Sequence, residues 1–365
     1  MKKTPYRLLL LFCLGLALAA CGNRGGRKAE GTAADTLSLR YAKHIALVQH
    51  EDYMESIIYN PWQTGYVLSR YEMSKPLTHA AIFIASIASL VEELGCLDAI
   101  SGVCEPEYIA NRHLLTAIDK GRIMDIGSAM TPSRERLIDL SPDAILLSPF
   151  QNVGSYSNIE QLGIPIIPCA DYMESSALAR AEWIRFYGRL FGCGERADSL
   201  FAAVETEYLR IKSTSQRVNK SIGRKEGQPS VFFDGRSSSA WYMPGGRSTL
   251  GQMVADAGGH YVFAENEQSG SVPFSFEQVF DRCRDADIWL FRYNAKERMT
   301  LSLLRSEYEP YSRFRAFREG EVYGCNNAEL IFFEEYPYHP DRLLQDFVNI
   351  FLGQADSLRY FHKIK

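Results

Sequence analysis

The chain has 365 residues, 46% of them hydrophobic and 23% charged, with a formal net charge of −4. Such a length exceeds what one hydrophobic core usually serves, so two lobes are expected, and the apolar share excludes a disordered chain. The acidic balance provides none of the basic surface that nucleic-acid binding needs, and no nucleic-acid partner is expected.

The first residues carry the strongest local signal. "MKKTPYR" is basic, and the thirteen residues Leu8 to Ala20 are apolar but too few to span a bilayer as a helix. The run ends in "LAAC", Leu18 to Cys21, which resembles the lipobox of bacterial lipoprotein signals. That resemblance implies cleavage before Cys21, acylation of its sulfur and anchoring to a membrane of the cell envelope, since two or more acyl chains hold firmly. Residues 1–20 are then a signal peptide and 21–36, "GNRGGRKAEGTAADT" with its leading Cys, a flexible tether. Removing Lys2, Lys3 and Arg7 with the signal takes the net charge from −4 to −7. No later stretch reads as a transmembrane helix.

From Leu37 to Tyr71 apolar and polar residues alternate, with "NPW" as punctuation, which predicts a β-meander. "AAIFIA" (Ala80 to Ala85) suits a buried parallel strand, followed by the helix "IASLVEELG", with Ser86 or Ser89 as its cap and Gly95 as its stop. "LDAISGV", "RIMDIG" and "AILLS" continue the strands, and "IEQLGIPIIP" is helix, stop and strand. Strands alternating with helices predict an α/β lobe with a parallel sheet over 37–191. A long helix follows at 192–225, with Ala197, Leu200, Phe201, Val204, Tyr208 and Ile211 forming one apolar stripe. About 24 residues of it would run roughly 36 Å. The α/β pattern then restarts over 226–365, with "SVFFDG", "RSTLGQMVADAGG", "GEVYGC" and the closing helix "HPDRLLQDFVNIFLG".

One passage occurs twice. "SRERLIDLSPDAILL" from Ser133 and "SFEQVFDRCRDADIWL" from Ser275 align without a gap, placing Glu135 on Glu277 and Asp143 on Asp285. Two copies indicate a pair of similar lobes, not a solenoid.

"IASIASLVEELGCLDAISGV", "DIGSAMTPSRERLIDLSPDAILLS", "LGIPIIP", "AWYMPGGRSTLGQMVADAGG" and "FSFEQVFDRCRDADIWLF" occur in one order between about Ala80 and Cys325. In these segments the chain resembles the substrate-binding lipoproteins of ABC importers for iron-siderophores, haem and cobalamin. The resemblance implies an α/β fold of two Rossmann-like lobes joined by a single long helix, the class III solute-binding arrangement, acting as a monomer. It implies no enzymatic activity, no intrinsic cofactor, and a metal chelate as ligand in the interlobe cleft.

As residues, Glu135 and Glu277 each follow a Ser N-cap and complement a helix dipole. The resemblance implies a further role, one carboxylate per lobe pairing with arginines of the membrane permease, a charge-assisted contact that fixes orientation. Candidate ligand contacts are Ser86, Tyr108, Met130, Phe150 and Gln151 from the first lobe, with Trp241, Tyr242, Arg292, Tyr293 and Asn326 from the second. Aromatic rings would cover a flat chelate, and Arg292 would pair with its carboxylates. Tyr108, His79 and His113 are the side chains near the first-lobe loops that could serve as axial ligand to a haem; no metal site built from side chains is expected. Cys96, Cys104, Cys169, Cys193, Cys283 and Cys325 form no C-x-x-C pair, and their spacing leaves disulfide pairing open.

Readings from other classes are a lipid-anchored enzyme and a non-transporting sensor. The chain has no G-x-S-x-G, H-E-x-x-H, P-loop or strand-borne G-x-G-x-x-G, and "GGRST" lacks the Lys of a phosphate loop.

Overall fold

Two five-stranded sheets organise the chain. A computed structural model describes residues 35–149, 157–221 and 228–365, all within the compact unit Asp35–Lys365. Cys21, the signal and all but the end of the tether, and Phe150 and Gln151 lie outside the described residues.

In the N-terminal lobe the strand order is Ile166–Pro168, Ala144–Leu147, Ala80–Ile82, Ile100–Val103, Met124–Asp125, and every pairing is parallel. In the C-terminal lobe the order is His260–Tyr261, Ser230–Phe233, Ile288–Tyr293, Val322–Asn326, with His362–Lys363 added antiparallel at the edge. The central strands are apolar on both faces, as helix-covered parallel strands must be: Ala144–Leu147 is buried throughout. The fold is therefore α/β with two parallel-sheet lobes.

The helix Gly194–Ser221 joins them. Its 28 residues span about 42 Å, and its stripe serves two cores in turn. Ala197, Phe201 and Val204 pack in the N-terminal lobe, whereas Tyr208 and Ile211 pack in the C-terminal one.

The meander is an antiparallel sheet of Asp35–Leu37, Ile45–Gln49, Met54–Tyr59 and Val67–Met73. Two buried carboxylates hold it on the lobe. Glu182 is fully buried, with Oε1 accepting the backbone N–H of Arg40 at 2.8 Å and Oε2 those of Tyr41 and Ala42 at 2.7 and 2.8 Å. Glu174 accepts the next two, Lys43 and His44, at 3.0 and 2.9 Å, together with Trp183 Nε1 at 3.0 Å. Five successive amides thus face two carboxylates, which is how charges removed from water are tolerated. Burial still raises the Glu174 carboxyl above its ordinary range.

The repeated passage folds as expected at its helices and departs at its strands. Ser133 and Ser275 cap Arg134–Leu140 and Phe276–Cys283. At the strands, Asp143 Oδ2 accepts the N–H groups of Thr78 and His79 at 2.9 and 3.0 Å. The matching contact in the other lobe belongs to Asp287, whose Oδ2 accepts Ser230 N at 2.8 Å and Ser230 Oγ at 2.7 Å. Each Asp ties its strand to the first strand of its lobe, so Asp143 corresponds to Asp287 and not to Asp285. The C-terminal lobe carries two extra residues between cap and strand.

The first helix, Ala85–Glu93, also differs from expectation. Neither Ser86 nor Ser89 caps it; Ile84 occupies the N-cap without a side-chain bond. The strand before it ends at Ile82, three residues earlier than the apolar run suggests.

Candidate functional site

Each sheet reverses its direction of growth once. The reversal lies between Ala80–Ile82 and Ala144–Leu147 in the N-terminal lobe, and between Ser230–Phe233 and Ile288–Tyr293 in the C-terminal lobe. Open α/β sheets bind ligands in the crevice beyond the carboxyl ends of strands at such a reversal.

In the C-terminal lobe that position holds an ion pair. Asp234 is the first residue beyond Phe233, and Arg292 stands near the end of the neighbouring strand. Arg292 Nε donates to Asp234 Oδ1 at 2.7 Å, and an Nη donates to Oδ2. Burial works against the guanidinium charge, but the Asp234 carboxylate outweighs it and raises Arg292 above its ordinary value. Asp234 sits at φ 58°, a left-handed conformation that Asp tolerates better than most residues. It is held there by its N–H to the Leu290 carbonyl at 2.8 Å and by Trp289 Nε1 donating to its own carbonyl at 2.6 Å. Phe333 lies against the pair, its ring centroid 5.6 Å from the Arg292 guanidinium carbon, and half of it remains exposed.

The N-terminal lobe has a similar pair after its last strand. Arg180 Nε donates to Asp171 Oδ2 at 3.0 Å, and both side chains are largely buried. Arg180 Nη1 also donates to the hydroxyl of Tyr336 at 3.2 Å, a residue of the segment that leaves the C-terminal sheet.

That segment ties the lobes together. Glu334, in the short helix Phe332–Glu335, accepts Ala110 N at 2.5 Å, Asn111 N at 3.2 Å and Ser89 Oγ at 2.5 Å. One lobe thereby satisfies backbone groups at the start of the other lobe's helix, Arg112–Asp119. His339 Nε2 lies 2.9 Å from Glu93 Oε2 in the same seam. Glu334→Ala is expected to cost about 2–3 kcal/mol, because it removes the charged acceptor of three part-buried donors. Urea denaturation checks the magnitude, and faster amide exchange at Ala110 and Asn111 checks the cause; unchanged exchange would contradict it.

The residues expected from sequence fall into distinct groups. Tyr108, Met130 and Tyr242 are exposed, at 69%, 66% and 49%. Ser86 is buried at the start of the first helix. Arg292 is in the crevice, but its fork is already occupied by Asp234, which corrects the picture of a free cation awaiting a carboxylate. Trp241 is fully buried and donates from Nε1 to the Phe233 carbonyl at 2.9 Å; it is core. Tyr293 is buried too, its hydroxyl accepting Met299 N at 3.0 Å. Asn326 is fully buried and holds a turn, with Oδ1 accepting Ala295 N and Ala328 N and Nδ2 donating to the Ala295 carbonyl at 2.8 Å. In this structure those three have no face for a ligand.

Of the possible axial ligands, His79 stands at the amino end of its strand, opposite the crevice, with Nε2 2.9 Å from the Leu140 carbonyl. His113 Nδ1 lies 2.6 Å from Glu92 Oε1. Tyr108 and His113 both present their rings to solvent, but the His113 ring is engaged by Glu92.

Sequence reasoning missed Asp234, Arg180, Phe333, Glu334 and Tyr336. For Asp234 a signal existed: a charge directly after the apolar "SVFF" needs a partner.

Glu135 and Glu277 are exposed in the first turns of corresponding helices. Gln278 completes a capping box around Ser275. The Glu277 carboxyl is held below its ordinary range by its own backbone N–H and by the Ser275 side chain.

Comparisons with known proteins agree with this architecture. A periplasmic haem-binding protein from Pseudomonas aeruginosa superimposes with a TM-score of 0.62 at 14% identity, covering 79% of this chain and 98% of that one. An ABC-type Fe3+-hydroxamate transport protein from Saccharomonospora viridis gives 0.58 at 16% identity, covering 78% and 96%. Among curated relatives, an uncharacterized lipoprotein of Methanocaldococcus jannaschii is 23% identical over 250 residues, 67% of this chain. The match spans just over half of that relative, 56%. The petrobactin-binding protein of Bacillus subtilis is 26% identical over 148 residues, 39% of this chain and 44% of its own. The periplasmic binding protein family model matches residues 84–329, from the first helix through the last strand of the crevice, and the chain belongs to that family.

Proposed function

We propose that this protein is the lipid-anchored solute-binding component of an ABC importer, capturing a ferric siderophore or similar iron complex and delivering it to the permease. The observation that carries the ligand class is the Asp234–Arg292 pair with Phe333 laid against it at the sheet reversal. The carboxylates a bare cation would need, those of Asp171, Asp234 and Glu334, are engaged by arginines, amides and a hydroxyl. A half-exposed ring beside a neutralised pair suits an organic shell around a metal. A relative described as binding petrobactin and structural neighbours described as binding haem or belonging to an Fe3+-hydroxamate transport system support the same class; haem and cobalamin are the alternatives. The protein is read as a non-enzymatic monomer anchored through Cys21. Glu135 and Glu277 are read as the permease contacts.

Titration with a ferric catecholate, a ferric hydroxamate, haem and cobalamin, followed by absorption and intrinsic fluorescence, tests the reading. Saturable binding of a ferric chelate is expected, weakened about fivefold by Phe333→Ala, since a stacked ring contributes on the order of 1 kcal/mol. Binding of none of the four would refute the ligand class. Binding that Phe333→Ala leaves unchanged would move the contact surface elsewhere.

A further inference from the structure

The two thiols of Cys96 and Cys193 lie 3.2 Å apart, although 97 positions separate them in the chain. Each ends a helix in the same way. Cys96 follows Gly95 at φ +80°, and Cys193 follows Gly192 at φ +73°, both glycines taking the left-handed turn that closes a helix. The two turns face each other: Cys96 Sγ also lies 3.7 Å from the Phe191 carbonyl. Arg196, in the first turn of the interlobe helix, reaches across and donates to the Glu93 carbonyl at 2.6 Å. Both thiols are only partly buried, whereas Cys104, Cys169, Cys283 and Cys325 are buried; burial pushes the Cys104 and Cys325 thiols up to about 12, and burial together with the Cys96 contact raises Cys193 equally.

We propose that Cys96 and Cys193 are an oxidation site that closes to a disulfide, stapling the end of the first helix to the start of the interlobe helix. The sulfurs need approach by only about 1.2 Å to reach a bond length near 2.05 Å. On closure the two thiols lose two protons and two electrons, and one Sγ–Sγ bond forms. The electrons go to the disulfide of a thiol–disulfide oxidoreductase, which leaves as a dithiol; in vitro, oxidised glutathione takes them and leaves as two thiols. Closure in the cell rests on the export reading, because it needs an oxidising compartment; closure in a redox buffer does not. The staple makes the first turns of the long helix part of the N-terminal lobe, so any hinge lies beyond Val204, where the stripe changes cores.

The test is peptide mapping of the full chain, extracted from the envelope of expressing cells in non-ionic detergent without reductant and alkylated under denaturing conditions. A peptide pair joined through Cys96 and Cys193 is expected, with the other four cysteines alkylated. In a second arm the protein is reduced, freed of reductant, and incubated folded with oxidised glutathione. Joining there but not in the extract supports the pair and overturns the export reading. Thiols that remain alkylatable or only glutathione-capped, or that join other cysteines, overturn the proposal. Unreduced protein should melt about 5–10 °C above both its reduced form and the C96S/C193S variant, as expected for a bridge closing so long a loop. Equal melting of the joined and reduced forms would show that the bond constrains nothing.

Discussion

Replacing Glu135 and Glu277 together by alanine is expected to reduce import to background while leaving ligand affinity unchanged. The two carboxylates stand in the first turns of corresponding helices, one on each lobe, and neither touches the crevice groups around Arg292. Truncating one partner of a charge-assisted contact to arginine weakens an interface strongly, and losing both should weaken docking roughly a hundredfold or more. Either single variant should import at an intermediate rate, because one remaining contact attracts without fixing orientation. Uptake of labelled chelate and equilibrium titration of the purified variants are the paired measurements. Lost affinity would mean that these residues belong to the ligand site; full import would mean that they only complement their helix dipoles. The backbone and Ser275 bonds that lower Glu277 keep it ionised as pH falls.

Glu182→Ala is expected to produce the largest loss of stability, about 3–5 kcal/mol. The side chain is fully buried and accepts three successive N–H groups from part-buried or exposed residues; hydrogen bonds to a charged group contribute on the order of 1.5–3 kcal/mol each, partly recovered here by water and local loosening. Arg185, 3.6 Å from the carboxylate, would lose a partner as well. Urea denaturation gives the magnitude, and hydrogen exchange at Arg40, Tyr41 and Ala42 locates it. A variant as stable as the parent, with those amides still protected, would show that the clamp is dispensable. Glu182→Gln tests whether charge or shape matters: its amide nitrogen would point a donor at donors, so it too should be destabilised.

Much of the fold can be read from local pattern, and the exceptions share a cause. Ser133 and Ser275 stand before their helices as good caps do, and the stripe of the long helix is visible by spacing alone. Its service to two cores is not visible, because periodicity says which face is buried and not against what. Trp241 and Tyr242, both candidate ligand contacts by sequence, lie in the strand Ala240–Pro244, with Trp241 and Met243 turned inward and Tyr242 outward. The period-two alternation was present but short, and flanking Ser and Gly residues disguised it. The Asp143 correspondence failed because an ungapped alignment followed helix similarity through a two-residue difference in length. Arg292 reads in the sequence as a cation for a ligand's carboxylates, whereas in the structure its fork is taken by Asp234. Its partner lies 58 positions away, a distance over which one sequence carries no pairing signal. Ile84 occupies an N-cap without a capping side chain, a case where tertiary packing overrides local preference.

The reach of Glu334 across the seam has a temporal side. Asn111, whose amide it accepts, is 223 positions earlier in the chain. At a synthesis rate of roughly 5–20 residues per second, that interval lasts on the order of tens of seconds. Throughout it, the nascent first lobe has its sheet residues and the Asn111 cap of that helix, but the amides of Ala110 and Asn111 just before it lack their carboxylate, and the chain that will supply it has yet to emerge. The earlier lobe is therefore not a finished module awaiting a companion. Its completion depends on the last fraction of the polypeptide, and a truncated product lacking that fraction would leave the amides of Ala110 and Asn111 and the Ser89 hydroxyl without their acceptor.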